Sequence, residues 1–435
     1  MVDHVNRVRE INAYDVPGLH IIEQEIQVPL DHRKPDHETI SVFARTLKSI
    51  QAKDEQRPFI LYLQGGPGFE CQRPTRRGGW MDRALDEFHV ILIDQRGTGR
   101  SSPVCHRTLL AQGDASQQAQ YLTHFRADSI VADCEVIRKA IIGEDTKWSI
   151  LGQSFGGFCA LTYLSYAPDG LESALFTGGL PPLDGHPDKV YQATYDRVLE
   201  RDRRYFERYP DDRKLIERIT KVIEDNPVEL PSGTRLSRRL LQHLGIGLGR
   251  HDGSESLHYL LNQALVSGPN GPELAYRFLW ALDSQISFNT NPIYAILHEA
   301  IYCQMNASRW SAERIKSQRP EYQSDEFVFT GEMVYPWMFE DMNQLKPLAN
   351  VAQILADKTD WPSLYSPDVL AQNKVPCAAL VYDEDMYVER AFSSQTAQSV
   401  RGMRVWVTNQ YEHNGLRQAG PSILSRLLDL ARGEE

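Results

Sequence analysis

The sequence has no run of apolar residues approaching the roughly 18 that a membrane-spanning helix requires, so no membrane partner is expected. Its first ten residues, Met1 to Glu10, are charged and polar. They hold neither an apolar h-region nor a small-residue cleavage site, which argues against a secretion leader. Cysteine is scarce: Cys71, Cys105, Cys134, Cys159, Cys303 and Cys377 are scattered, with no CxxC pair. A chain of 435 residues needs no disulfide staples, so these read as reduced thiols in a cytoplasmic protein. The same scatter lacks the spacing of a zinc site. Basic residues are not in excess. Lys and Arg total 47 against 58 Asp and Glu, a net charge of −11, which argues against a nucleic-acid partner because phosphate binding needs a basic surface. Internal repeats and low-complexity segments are missing as well, and nothing in the sequence specifies an oligomer. What remains is the composition of an ordinary soluble protein, 41% hydrophobic and 24% charged, long enough for one large domain or two to three smaller ones.

The most informative stretch that is present runs from Ile150 to Phe158 and holds Gly152-x-Ser154-x-Gly156. An apolar run precedes it (Trp148, Ile150, Leu151) and a helix-period run follows (Phe158, Leu161, Leu164). Strand, tight turn and helix in that order form a nucleophile elbow. The serine must sit on a sharp turn for its hydroxyl to stand clear of the backbone. The flanking glycines avoid collision with the neighbouring helix or strand. The helix N-terminus behind Ser154 favours negative charge developing beside it.

Around the elbow, residues 20–30 and 39–47 alternate apolar and polar and predict two antiparallel strands at a sheet edge. Pro58 to Leu63, Phe88 to Ile93 and Ala174 to Thr177 are apolar runs, read as buried strands, and residues 126–142 carry a helical period. Buried strands alternating with helices mean a parallel sheet covered on both faces, and with the antiparallel start they suit the α/β-hydrolase fold. After Pro181-Pro182 the pattern turns helical, through Tyr191–Tyr209, Leu236–Leu244, Leu257–Ala264 and Leu274–Ile286 to a helix from Pro292 toward Glu299. Strand signals return at Cys377–Tyr382 and Met403–Val407, before a final helix at about 420–432. The expected organisation is a core over 1–180, an inserted helical cap over 181–365, and the rest of the core over 366–435. The aromatics between Phe327 and Phe339 either line a pocket or pack cap against core.

A serine nucleophile needs a base, and the base needs an acid to fix its tautomer and steady its charge. In this fold the order is Ser, acid, His, with the last two on loops after the final strands. Those loops hold Asp383-Glu384-Asp385 and His413, leaving Asp383 and Asp385 as alternatives for the acid. The glycine-rich Gln64-Gly65-Gly66-Pro67-Gly68 follows a strand, where the backbone must approach the nucleophile to offer an N–H to an oxyanion. The oxyanion hole is assigned to the N–H groups of Gly66 and Phe155.

Gly65-Gly66-Pro67-Gly68, Asp94-Gln95-Arg96-Gly97-x-Gly99-x-Ser101 and Gly152-Gln153-Ser154-x-Gly156-Gly157 together resemble the proline iminopeptidase family of α/β-hydrolases. Asp385-Met386-Tyr387-Val388, His413-Asn414-Gly415-Leu416-Arg417 and the long segment at 181–360 resemble its longer members, so the likeness spans nearly the whole chain. Gln64 departs from the shorter members, which carry histidine there; that affects loop hydrogen bonding more than the backbone donors. The resemblance implies Ser154 as nucleophile, His413 as base and Asp385 rather than Asp383 as its partner. It also implies a substrate, short peptides with N-terminal proline, whose imino group cap glutamates would receive. Glu299 resembles one of these, and Glu200, Glu207 and Glu332 are candidates for a second.

Two other readings compete. A carboxylesterase or amide hydrolase would use the same triad with another pocket, since fold does not choose the substrate. A cap-domain binding or scaffold protein would have lost activity, against which stands the presence of every triad candidate. No cofactor and no metal are expected, so dialysis against EDTA should leave the rate unchanged; a loss restored by zinc would sink the serine mechanism.

Overall fold

A computed structural model describes residues 8–269 and 271–434. Met1 to Arg7, most of the polar N-terminal stretch discussed above, lie outside the described residues. Nine strands form one sheet, in the order β1 (Val8–Val16), β2 (Leu19–Pro29), β3 (Thr39–Ser49), β5 (His89–Asp94), β4 (Phe59–Leu63), β6 (Trp148–Gln153), β7 (Leu171–Thr177), β10 (Cys377–Tyr382), β11 (Met403–Thr408). Pairings from β1 through β3 to β5 are antiparallel; those from β5 to β11 are parallel. This is the α/β-hydrolase arrangement.

The parallel strands read as continuous apolar runs because both faces are covered. Along β4, Ile60 and Tyr62 join one core cluster with Leu85, Leu151, Ile423 and Leu427, beneath helices Trp80–Glu87 and Gly420–Arg432. Leu61 and Leu63 point the other way, to Ile130, Ile137, Ile150 and Phe158, beneath Ala127–Ile142 and Phe155–Tyr166. The second of these helices is buried along its whole length except for Tyr166. Each of its large apolar side chains contributes about 2 kcal/mol by leaving water, which anchors the turn that carries Ser154. The chain leaves β4 for β5 on one side and returns to set β6 on the other. A crevice opens at the carboxyl ends of strands where the order reverses in this way.

Among the described residues between β7 and β10, no strand joins the central sheet. Helices Pro187–Arg208, Asp211–Asp225, Gly253–Asn262, Tyr276–Ile286 and Pro292–Leu297 dominate, with shorter turns. Three features differ from the sequence expectation. Strand β1 was not anticipated and moves the sheet edge outward; its polar, largely exposed residues give no apolar alternation to detect. A hairpin of β8 (Leu265–Gly268) and β9 (Gly271–Leu274) takes residues at the margins of two expected helices. The period through Leu240 and Leu244 belongs to a short helix, Arg238–Gln242, followed by 3-10 turns over His243–Gly249. Gly245, Gly247 and Gly249 fall there, and each costs an α-helix about 1 kcal/mol.

The aromatics of 327–339 fill the interior of this helical region. Phe329 stacks on Phe206 and meets Tyr205 edge-on, Tyr335 pairs its hydroxyl with that of Tyr195 at 2.8 Å, and Trp337 stacks on Tyr335. Arg126, buried at the start of Ala127–Ile142, ties this region to the core. Its guanidinium donates to the carbonyls of Ala300, Cys303 and Pro362 and lies over the Trp361 ring. None of the described helices is long and apolar enough to cross a membrane.

Candidate active site

Ser154 joins β6 to helix Phe155–Tyr166 with φ +55° and ψ −126°, a conformation that costs an L-residue energy and that the surrounding packing imposes. A Cβ on Gly152 would lie 2.4 Å from the Gly156 carbonyl oxygen, and one on Gly156 would lie 1.9 Å from that of Leu63. Strand, turn and helix can approach this closely only with glycine at both positions.

The loop after β4 closes over the serine. A Cβ on Gly65 would stand 3.0 Å from Ser154 Cβ, and Gly66 takes φ +138°. Gln95, buried in the loop after β5, donates its side-chain amide to the Gln64 carbonyl at 3.0 Å and so fixes the base of this loop. The N–H of Phe155, first in its helix, belongs to the group of backbone donors that an α-helix leaves unpaired.

His413 and Asp385 come from the loops after β11 and β10. His413 Nδ1 lies 2.7 Å from Asp385 Oδ2, while Asp385 Oδ1 accepts from the N–H groups of Tyr387 at 2.8 Å and Val388 at 3.0 Å. The carboxylate is only 1% exposed, and the Tyr387 ring meets the imidazole edge-on at 4.8 Å. Burial alone would lower the His413 pKa, but the charge and hydrogen bond of Asp385 outweigh it and the net shift is upward. Glu332 adds to the rise and Arg250 opposes it. Asp383 is elsewhere: it pairs with Arg390 on the surface. Two consecutive glycines lie between His413 and Ser154. A Cβ on Gly178 would be 3.2 Å from His413 Nδ1, and one on Gly179 would be 2.4 Å from the Ser154 carbonyl oxygen.

The four glutamates of the helical region separate clearly. Glu200 and Glu207 lie on the solvent face of Pro187–Arg208, paired with Arg203 and Arg204. Glu332 accepts from the Tyr294 hydroxyl at 2.7 Å and acts electrostatically on His413, Tyr302 and Tyr387. Glu299 is buried, and its two oxygens accept from the N–H groups of Ser311 at 3.1 Å and Ala312 at 2.9 Å. Desolvation raises its pKa to about 7 against these hydrogen bonds. Tyr302, three residues further on, packs its ring against Phe158 behind Ser154 and against Tyr191, whose buried hydroxyl has no hydrogen-bond partner. Tyr294 was not singled out from the sequence; the signal available was its four-residue spacing from His298 on a helix ending beside the site.

Residues 58–219 match the family model for the alpha/beta hydrolase fold. A proline iminopeptidase of Aeromonas sobria is 49% identical over 423 residues, 96% of this chain and 98% of that protein. The chain belongs to the proline iminopeptidase family. A proline iminopeptidase of Aspergillus aculeatus is 35% identical over 433 residues, covering 96% of this chain and 95% of its own. Among solved structures, the proline iminopeptidase of Mycobacterium smegmatis aligns with a TM-score of 0.44 at 14% identity, over 94% of this chain and 100% of that one. Family membership spans the helical region as well as the core, since the Aeromonas alignment covers nearly all of both chains.

Proposed function

We propose that the protein is a serine exopeptidase that releases N-terminal proline from short peptides, with residues 181–365 as a cap over the site. Ser154 Oγ attacks the prolyl carbonyl carbon while His413 Nε2 takes its proton. The oxyanion sits between the N–H groups of Phe155 and Gly66. The carbon–nitrogen bond breaks, and His413 returns the proton to the departing amine, leaving proline esterified to Ser154. Water then attacks, giving one proton to His413, which passes it back to Ser154 as free proline leaves. Asp385 holds the imidazole tautomer and stabilises its cationic form throughout. We place this activity in the cytoplasm; the six cysteines are free thiols, five of them buried.

The observation that carries the reading is the carboxyl group of Glu332, which has no cationic partner among the described residues. Glu332 lies within electrostatic reach of His413 and is hydrogen-bonded to a tyrosine, with no arginine or lysine paired to it among the described residues. A protonated prolyl nitrogen would supply the missing cation. Glu299 is the second acceptor. Buried, with neutral hydrogen-bond donors around it and Arg314 as the only cation that favours its charge, it ionises reluctantly until a second cation arrives.

Glu332 is half-buried, and a prolyl cation docked on it would cover the pair; removing one partner of a charged hydrogen bond covered in this way costs about 2–5 kcal/mol. Glu332→Gln is therefore expected to lower kcat/KM for a proline amide by about 30-fold or more relative to a small activated ester without an amine. Glu299→Gln should act in the same direction and also lower Tm, because a side-chain amide cannot accept from both Ser311 and Ala312. A panel of amino-acid naphthylamides and simple esters tests the whole reading. Preference for esters over proline amides, or equal losses on both substrate classes in Glu332→Gln, would favour a general esterase.

A further inference from the structure

The segment His243–Gly249 and the two residues after it lie against the base. A Cβ on Gly249 would be 2.5 Å from the Tyr387 ring, and the Tyr387 hydroxyl donates to the Ile246 carbonyl. His251 donates its N–H to Asn414 Oδ1, the residue next to His413, at 3.1 Å. Arg250 is held between these anchors. It is exposed, and among the described residues no carboxylate stands within ion-pair distance of it. Its charge nonetheless reaches His413, Tyr387 and Tyr294. On the imidazole it acts oppositely to Glu332. His413 thus lies within electrostatic reach of both a carboxylate, Glu332, and an exposed guanidinium, Arg250.

We propose that Arg250 receives the free α-carboxylate of the leaving residue, which makes short zwitterionic peptides, dipeptides above all, the preferred substrates. This rests on the exopeptidase reading above. A Pro-Xaa dipeptide carries a cation at one end and an anion at the other, separated by about two residue lengths, or roughly 7 Å. Glu332 and Arg250 offer the complementary charges, both within electrostatic reach of His413. The planar guanidinium matches a carboxylate with two parallel hydrogen bonds. In a longer peptide the carboxylate lies beyond the rim, and the contact is lost.

The test compares Pro-Ala with Pro-Ala-amide and with proline naphthylamide, on the full chain. The wild type is expected to favour the free acid over the amide by about 10-fold in kcat/KM, carried by KM, equivalent to about 1.4 kcal/mol. In Arg250→Gln that ratio should collapse to about 1, and Arg250→Lys should restore part of it. Raising the salt toward 1 M should shrink the wild-type preference, because a rim charge is screened. Melting temperatures should match, since the side chain is exposed. A free-acid to amide ratio near 1 in the wild type, or one that survives Arg250→Gln, would overturn the proposal while leaving the peptidase reading intact. No cleavage of any of the three substrates would instead remove the peptidase reading.

Discussion

Ser154→Ala is expected to abolish turnover of a proline amide while leaving the fold in place. The serine contributes little to packing. It is half-buried at the elbow, and the turn is held by the hydrogen bonds of its own backbone, N–H to the Thr177 carbonyl at 3.0 Å and carbonyl to the Gly157 N–H at 2.7 Å. Removing Oγ leaves both intact, so the stability should change by no more than a surface substitution would change it, about 0.5 kcal/mol in either direction. The rate has no such reserve, because without Oγ no acyl-enzyme forms. What persists is water attack assisted by the oxyanion donors and by binding alone, at least about a thousandfold slower. Circular dichroism and a melting curve establish the fold, and naphthylamide release gives the rate. A well-folded variant that keeps more than about a thousandth of the activity would remove Ser154 from the mechanism. The same variant should still bind the substrate, since Glu332 and Glu299, the proposed acceptors of the prolyl nitrogen, are untouched.

How much of this was legible in the sequence depends on whether the signal is local. The elbow is local: an apolar strand, two glycines that close approach demands and a buried helix fall within about twenty consecutive residues, and each β-strand of the parallel half shows as an apolar run because both its faces are covered. Strand β1 was invisible for the converse reason, being exposed along most of its length. The choice between Asp383 and Asp385 is tertiary. Both follow β10 in the same short loop, and which one turns inward depends on Arg390 holding the first at the surface while the N–H groups of Tyr387 and Val388 receive the second. The glutamates are further from legibility still. Glu200, Glu207 and Glu332 are alike as letters; what separates them is that Arg203 and Arg204 share a helix with the first two and Tyr294 reaches the third from 38 residues away. Arg250 carries no motif at all, and its place beside the base emerges only when Gly249 meets Tyr387 and His251 meets Asn414.

Asp385→Asn is expected to lower kcat by about 10³- to 10⁴-fold, the scale seen when the acid of a serine triad loses its charge but keeps its shape. The substitution is nearly isosteric. Its carbonyl oxygen can still accept from Tyr387 and Val388, so the loop should hold its course. The change falls on His413. An amide N–H₂ facing Nδ1 donates where the carboxylate accepted, which drives the ring proton to Nε2, the atom that must take the proton of Ser154. A second readout separates this from a structural loss. His413 ionises above its ordinary range because Asp385 outweighs the desolvation that pulls the other way. A base works only when neutral, so in the wild type the acid limb of kcat/KM should lie above the usual histidine value of about 6.5. With the carboxylate charge gone, burial is opposed only by the weaker pull of Glu332, and the limb of the residual activity should move to lower pH. Asp383→Asn gives the control. It breaks a pair with Arg390 whose side chains are 34% and 49% exposed, a contact worth about 1 kcal/mol at most, and should change the rate by less than about twofold with the acid limb unmoved. If instead Asp383→Asn produced the large loss and the downward shift while Asp385→Asn remained active, the partner of His413 would be Asp383.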